Sequence, residues 1–109
     1  MFPQYAGLIE INYQLLKMEL SVTNNLNQQQ FEVQADGELA LLQYRFHDKL
    51  LWLMHTDVPK KLEGHGVASL LAHAALEWAK ATNIKVKVIC PFVAIYLKRH
   101  PEYNDIVEK

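Results

Sequence analysis

Two glycines separated by one residue stand immediately before a long amphipathic segment, and this junction constrains the fold more than any other feature of the chain. The junction reads Glu63-Gly64-His65-Gly66-Val67-Ala68-Ser69. Beyond it, no Gly or Pro occurs before Asn83, and apolar or small residues recur with the spacing i, i+3, i+4. These residues are Val67, Leu70, Leu71, Ala74, Ala75 and Trp78. The spacing predicts a helix of about 15 residues that packs one face against a core.

The start of this helix is a candidate site for an anion. Backbone N–H groups in the first turn have no helical acceptor, and the helix dipole adds partial positive charge there. Small side chains let a ligand approach these amides closely. We therefore interpret the junction as a phosphate cradle, to which His65 can add a further donor. The predicted cradle comprises Gly64, His65, Gly66, Val67, Ala68 and Ser69.

Two common phosphate loops do not fit this segment. A nucleotide-binding P-loop needs Gly-Lys-Ser or Gly-Lys-Thr, which occurs nowhere in the chain. A dinucleotide-binding loop needs a third glycine at the position of Ser69 and a strand directly before the first glycine. The polar stretch 57–63 precedes Gly64 instead.

The segment resembles the pyrophosphate loop of acyl-CoA N-acyltransferases, in which Gln or Arg is followed at the third and fifth positions by Gly and then Gly or Ala. Glu63, Gly66 and Ala68 fit this spacing. The resemblance to the minimal acetyltransferases of the GNAT superfamily extends over about residues 31–103. Its ordered motifs are His55-Thr56-Asp57-Val58-Pro59, the glycine loop, the helix, Cys90-Pro91-Phe92-Val93 and the stretch 96–103.

The resemblance implies a GNAT fold, acetyl-CoA as cosubstrate, and transfer of acetyl to a primary amine of a small molecule or a protein lysine. It also implies that two parallel strands splay apart and that the pantetheine arm lies in the gap, bonded to backbone around 54–58, including Val58. Glu63 departs from the superfamily pattern. Because a carboxylate beside a pyrophosphate is unfavourable, Glu63 is expected to face solvent while the backbone amides bind the ligand.

Patterns elsewhere predict an α/β (α+β) fold: a mixed, mostly antiparallel sheet with one parallel pair, a crossover helix and a short C-terminal helix. Alternation and a two-residue Asp36-Gly37 turn predict a hairpin. A strand that is apolar on both faces is expected to be central and covered on each side. The predicted strands are 19–22, 31–35, 39–46, 49–56 and 84–89, with a surface loop at 24–30. Residues 1–17 are predicted to be an N-terminal extension, and residues 18–109 the domain.

Three residues are candidates for catalysis. Pro91 suits the first position of a helix, so Cys90 is predicted to be the N-cap of a helix over 91–99, where the dipole favours a thiolate. Cys90 either accepts the acetyl group or lines the cleft. Direct transfer needs a base and an acid: His55 is the predicted base, with Asp57 as the neighbouring option. Tyr96 matches by resemblance the tyrosine that protonates the CoA thiolate. The alternatives are that His55 bonds backbone and that Tyr96 is a packed aromatic.

Composition narrows the function classes. The chain has 109 residues, half of them apolar, which suits one domain with a single core. A net charge of −1 argues against a nucleic-acid binder. The single cysteine excludes an intramolecular disulfide, and no Cys/His spacing suggests zinc. The longest apolar run is too short for a membrane span. We expect a cytoplasmic N-acetyltransferase without metal, either a monomer or a weak dimer; the alternative is a noncatalytic CoA-binding or protein-interaction module.

Overall fold

The computed structural model describes residues 20–109 of the chain, so the predicted extension at 1–17 lies outside the described residues. Within this range, five strands form one sheet in the order β1-β2-β3-β4-β5. The strands are β1 (Thr23–Asn25), β2 (Gln30–Ala35), β3 (Glu38–His47), β4 (Leu50–Asp57) and β5 (Lys85–Val88). Two helices, α1 (Val67–Ala81) and α2 (Pro91–Arg99), and two 3₁₀ turns, Lys60–Leu62 and Pro101–Ile106, complete the described chain.

The predicted fold class is confirmed. Strands β1 to β4 pair antiparallel, whereas β4 and β5 pair parallel across the crossover helix α1. Helix α1 has 15 residues, as its periodicity predicts. The β2–β3 hairpin turns at Asp36 and Gly37, whose φ angles of 52° and 74° are those of a tight hairpin turn.

The first strand differs from the prediction. It begins at Thr23 rather than in the stretch 19–22, and it occupies part of the expected surface loop. Polar side chains hold it in place: the Tyr44 hydroxyl donates to Asn24 Oδ1 at 2.7 Å, and Asn25 Nδ2 donates to Glu32 Oε2 at 2.9 Å. Because these bonds join positions far apart in sequence, apolar alternation gives no sign of them.

The core lies between the sheet and helix α1. Leu51 and Leu53 of β4 are at most 1% exposed and belong to one buried cluster with Leu71 and Leu76 of α1. Within residues 20–109, only this face of β4 is fully buried, so the expectation that β4 is covered on both faces is wrong. Three other apolar residues of β4 alternate with these two leucines: Leu50, Trp52 and Met54. Their side chains point to the opposite face and are only half-buried.

Strand β4 contains a bulge that reverses its side-chain alternation. The register with β3 pairs Leu53 with Tyr44 and His55 with Gln43. Met54 is therefore an extra residue without an opposite partner, which is the definition of a β-bulge. Beyond it, each side chain of β4 points to the face opposite the one that simple alternation predicts.

The bulge determines which face of the sheet each of the last residues of β4 points to. Thr56 lies opposite Leu42, which is fully buried, so Thr56 faces the core and the helices. His55 and Asp57 lie opposite half-buried residues of β3 and face the other side, where both are exposed. The end of β4 thus presents different chemistry to each face.

The parallel pair separates part-way along β4. Pairing of β4 with β5 ends at Leu53 and Val88. The amides of Ile89 and Cys90 both donate to the Leu53 carbonyl at 3.0 Å, and the chain then turns into α2. Strand β4 continues to Asp57 paired with β3 alone among the described strands. Within residues 20–109, its other edge is consequently open beyond Leu53.

Candidate functional site

The loop between β4 and α1 turns at two glycines. Gly64 and Gly66 have φ angles of +85° and +75°, which L side chains rarely adopt. A Cβ atom built on either glycine would meet no atom within 4 Å. The backbone at this loop is therefore strained for any other residue and open to the outside.

Helix α1 begins with three amides that the helix itself does not use. The first helical bond joins the Leu70 amide to the Gly66 carbonyl at 3.0 Å, so Val67, Ala68 and Ser69 precede the ladder. Gly66 is the N-cap, and no side chain of the described residues caps this helix start. Three N–H groups and the positive end of a 15-residue helix therefore face the loop opening.

A pocket of about 240 Å³ lies at this helix start. Six of the seven predicted cofactor-binding residues line it, whereas His65 is exposed and does not. The lining residues are Val58, Leu62, Glu63, Gly64, Gly66, Val67, Ala68, Ser69 and Phe92. The structure thus groups residues that the sequence assigns to one ligand, and their role stays a prediction.

Two lining residues were not identified from the sequence. Leu62 is fully buried in the 3₁₀ turn before the glycine loop, and Phe92 is half-buried in the first turn of α2. The Cys90-Pro91-Phe92 motif marked the beginning of α2, but its position against α1 is a tertiary contact. With Val58, these side chains make an apolar wall opposite the amides. Such a pocket suits a ligand that carries an anionic group and a partly apolar chain.

Glu63 borders the pocket and is exposed. Its backbone amide donates to the Lys60 carbonyl at 3.1 Å, so this amide is already used. The side chain brings one negative charge to the rim of a pocket whose amides attract anions. Because the charge is exposed, solvent and salt weaken its repulsion of a phosphate without removing it.

We expect Glu63→Gln to tighten CoA binding by about three- to tenfold at low salt, because it removes this repulsion. Isothermal titration calorimetry on the parent and the variant measures the change. Asp48→Asn, in the β3–β4 turn at the opposite end of β4 from the pocket, is the matched control for loss of one charge. Equal or weaker binding in Glu63→Gln would show that the carboxylate does not oppose the ligand.

Cys90 lies in the two-residue connection between β5 and α2. It is the N-cap of α2, as predicted, and is 2% exposed. Its Sγ lies 3.1 Å from the hydroxyl oxygen of Thr56. Both residues stand two positions from a lining residue of the pocket, Phe92 and Val58 respectively. The thiol is therefore adjacent to the pocket wall without lining the pocket itself.

Tyr96 lies on α2, one turn before the C-terminal end of this helix. The residue is 8% exposed, and its ring stacks on His100 with centroids 4.1 Å apart. Burial raises the pKa of Tyr96, and the nearby carboxylates of Glu102 and Glu77 raise this pKa further. The phenol consequently keeps its proton at neutral pH, as a proton donor must, but it does not line the pocket.

The three candidate catalytic residues do not form one bonded constellation. Cys90 faces the core, Tyr96 lies on α2, and His55 is exposed on the opposite face of the sheet. Among the described hydrogen bonds, none joins any two of them. Their roles depend on which of these side chains a ligand at the open edge of β4 beyond Leu53 contacts. These roles therefore stay predictions.

Within residues 20–109, no group of three or more His, Cys, Asp or Glu side chains is arranged to hold a metal ion. Over the same range, every helix is too short or too polar to cross a membrane.

Comparison with known proteins identifies the family. The family model described as GCN5-related N-acetyl-transferase matches residues 30–106. Protein NATD1 of Gallus gallus is 32% identical over 85 residues, which cover 75% of this chain and 77% of the relative. Protein NATD1 of Homo sapiens is 32% identical over 85 residues, 75% of each chain. Protein NATD1 of Danio rerio is 28% identical over 105 residues, 92% of this chain and 96% of the relative. The chain belongs to the GCN5-related N-acetyltransferase family.

Proposed function

We propose that this protein is an acetyl-CoA-dependent N-acetyltransferase that acts on a primary amine, either of a small molecule or of a protein lysine. The observation that carries the proposal is the pocket at the start of α1, where unpaired amides face an apolar wall beside the open edge of β4. Membership of the family supports the same reaction class.

In this proposal the two walls of the pocket bind different parts of the cosubstrate. The amides of Val67, Ala68 and Ser69 donate to the diphosphate, which the helix dipole also favours. Val58 and Phe92 pack against the pantetheine arm. The open edge of β4 beyond Leu53 offers backbone N–H and C=O groups to the amides of that arm, as it would to an added strand.

Bound acetyl-CoA supplies an acetyl thioester next to this edge. His55 accepts a proton from the incoming ammonium, so that the free amine nitrogen can form a bond to the acetyl carbon. As the carbon–sulfur bond breaks, Tyr96 gives its phenolic proton to the departing sulfur. The raised pKa of Tyr96 keeps this proton on the phenol at neutral pH until the sulfur departs. The nitrogen then loses its second proton, which passes through water to the Tyr96 phenolate, and His55 releases its proton to solvent. No covalent enzyme intermediate forms.

Cys90 forms no covalent bond to the acetyl group in this mechanism. Its thiol is 2% exposed and is within hydrogen-bonding distance of Thr56, which disfavours an attack on a thioester. We expect Cys90→Ala to keep kcat within about threefold of the parent, since only a small side chain is removed. Turnover and intact-protein mass spectrometry after incubation with acetyl-CoA measure this. A loss of about 100-fold, with an acetylated Cys90 in the parent, would contradict direct transfer.

One observation favours the noncatalytic alternative. The Glu63 carboxylate borders the pocket and opposes an anionic ligand, which would suit a domain that binds CoA weakly or binds a protein instead. Calorimetry with CoA and with acetyl-CoA tests both CoA-dependent functions: absence of binding at tens of micromolar would reject both. Release of CoA thiol in the presence of a panel of primary amines then separates an enzyme from a binding module.

A further inference from the structure

Because of the bulge in β4, a histidine and a carboxylate two residues apart lie on the sheet face opposite the pocket. From this placement we propose that Asp57 is the acceptor-binding residue: its carboxylate holds the protonated ammonium of the amine substrate beside His55. The inference rests on the proposed function, and it gives Asp57 a role distinct from that of the alternative base.

Strand geometry puts His55 and Asp57 within reach of one ligand atom. Residues two apart on a strand point to the same face with their Cα atoms about 6.5 Å apart. Both residues follow the bulge and keep regular pairing with β3. A single nitrogen can therefore contact the carboxylate and the imidazole at once. Without the bulge, the side chains of His55 and Asp57 would also share one face of the sheet, but that would be the face packed against the core.

The charge of Asp57 is uncompensated in the described part of the chain. Its side chain takes part in none of the ion pairs or hydrogen bonds found there. The same holds for His55, and its cross-strand partner Gln43 is neutral. By contrast, His47 and His100 lie 3.3 Å from the carboxylates of Asp48 and Glu102, their near neighbours in sequence. An exposed carboxylate without a partner attracts a cation.

The end of β4 separates this pair from the pocket. Thr56 faces Cys90 on the helix side, and Val58 lines the pocket, whereas His55 and Asp57 face the other side. The amine and the thioester therefore approach β4 from opposite faces and meet at its open edge beyond Leu53.

The surface beside His55 and Asp57 favours an amine whose nitrogen is attached to an apolar carbon chain or ring, called its stem below. Leu41, directly opposite Asp57 on β3, and Met54 in the bulge are both half-buried and apolar. A primary ammonium on an aliphatic or aromatic stem fits this surface: the charge contacts Asp57 and the stem covers the apolar side chains. Both a free alkylamine and a lysine side chain have this chemistry.

The test is the steady-state kinetics of Asp57→Asn with acetyl-CoA and two acceptors, phenethylamine and an Nα-acetyl-lysine peptide. We expect KM for the acceptor to rise about tenfold, which is the usual loss for one charged contact. We expect kcat to stay within about twofold and the Kd for CoA to stay unchanged. Asp57→Glu should recover part of the lost affinity. Comparison of the two acceptors distinguishes a small-molecule amine from a protein lysine.

Asp48→Asn is the matched control, because it removes the same charge at the opposite end of β4 and Asn tolerates its φ of 53°. An unchanged KM in Asp57→Asn would overturn the inference and leave the proposed function intact. A loss of kcat at unchanged KM would also overturn it, since Asp57 would then act as the base. Absence of acetyl transfer from the parent to any amine would instead reject the proposed function itself.

Discussion

Replacing Ser69 with Glu will weaken CoA binding by roughly 30- to 100-fold and leave the fold intact. Ser69 is exposed, lines the pocket and stands in the first turn of α1, three residues after the N-cap. A carboxylate there lies where the account puts the diphosphate, and repulsion in this partly enclosed site costs about 2–3 kcal/mol. The same carboxylate suits the helix, because an acidic residue in the first turn interacts favourably with the dipole.

Calorimetry with CoA measures the affinity of Ser69→Glu, and thermal unfolding verifies that the variant is folded. Ser69→Gln is the control for size, and we expect its Kd to lie within about fivefold of the parent value because it adds bulk without charge. If Ser69→Glu bound CoA as tightly as the parent, the diphosphate would not lie against the first turn of α1.

His55→Gln should lower kcat by about 100-fold without changing the Kd for CoA. The proposed base is lost, while the exposed strand position keeps a polar side chain of similar size. The pH dependence of the rate is the more specific readout. If His55 is the base, the acidic limb of the parent pH–rate profile should disappear in the variant.

His47→Gln is the control for His55→Gln, because it removes an exposed histidine from the same sheet face near the other end of the β3–β4 pair. Its kinetics should match those of the parent. If His55→Gln kept the parent pH–rate profile, His55 would not be the base, whatever the size of the change in kcat.

Features with a local cause could be read from the sequence. Helix α1 and the loop before it follow from a 3.6-residue period and from two glycines that need positive φ angles. The hairpin turn follows from Asp36-Gly37, and the start of α2 from Cys90-Pro91. For the same reason, the predicted cradle and the pocket share most of their residues.

Features that depend on pairing between distant segments could not be read in this way. The bulge at Met54 is a property of the register with β3, and the apolar run of β4 hides it because both faces of that strand carry apolar residues. As a result, the sequence assigned His55 and Asp57 to the cleft without indicating which face they occupy.

The same limit applies to side chains whose environment is tertiary. Phe92 reaches the pocket only because α2 packs beside α1. The pKa of Tyr96 is raised by its burial and by carboxylates on α1 and on the C-terminal turn. Strand β1 depends on hydrogen bonds from Tyr44 and Asn25 rather than on apolar alternation.

A crystal structure of the protein with CoA is the most direct test of the central claim, that unpaired amides at the start of α1 bind the diphosphate. We expect phosphate oxygens about 3 Å from the amide nitrogens of Val67, Ala68 and Ser69. We also expect the pantetheine arm to lie against Val58 and Phe92. Density for the diphosphate at any other surface, with the α1 amides bonded to protein or water, would contradict it.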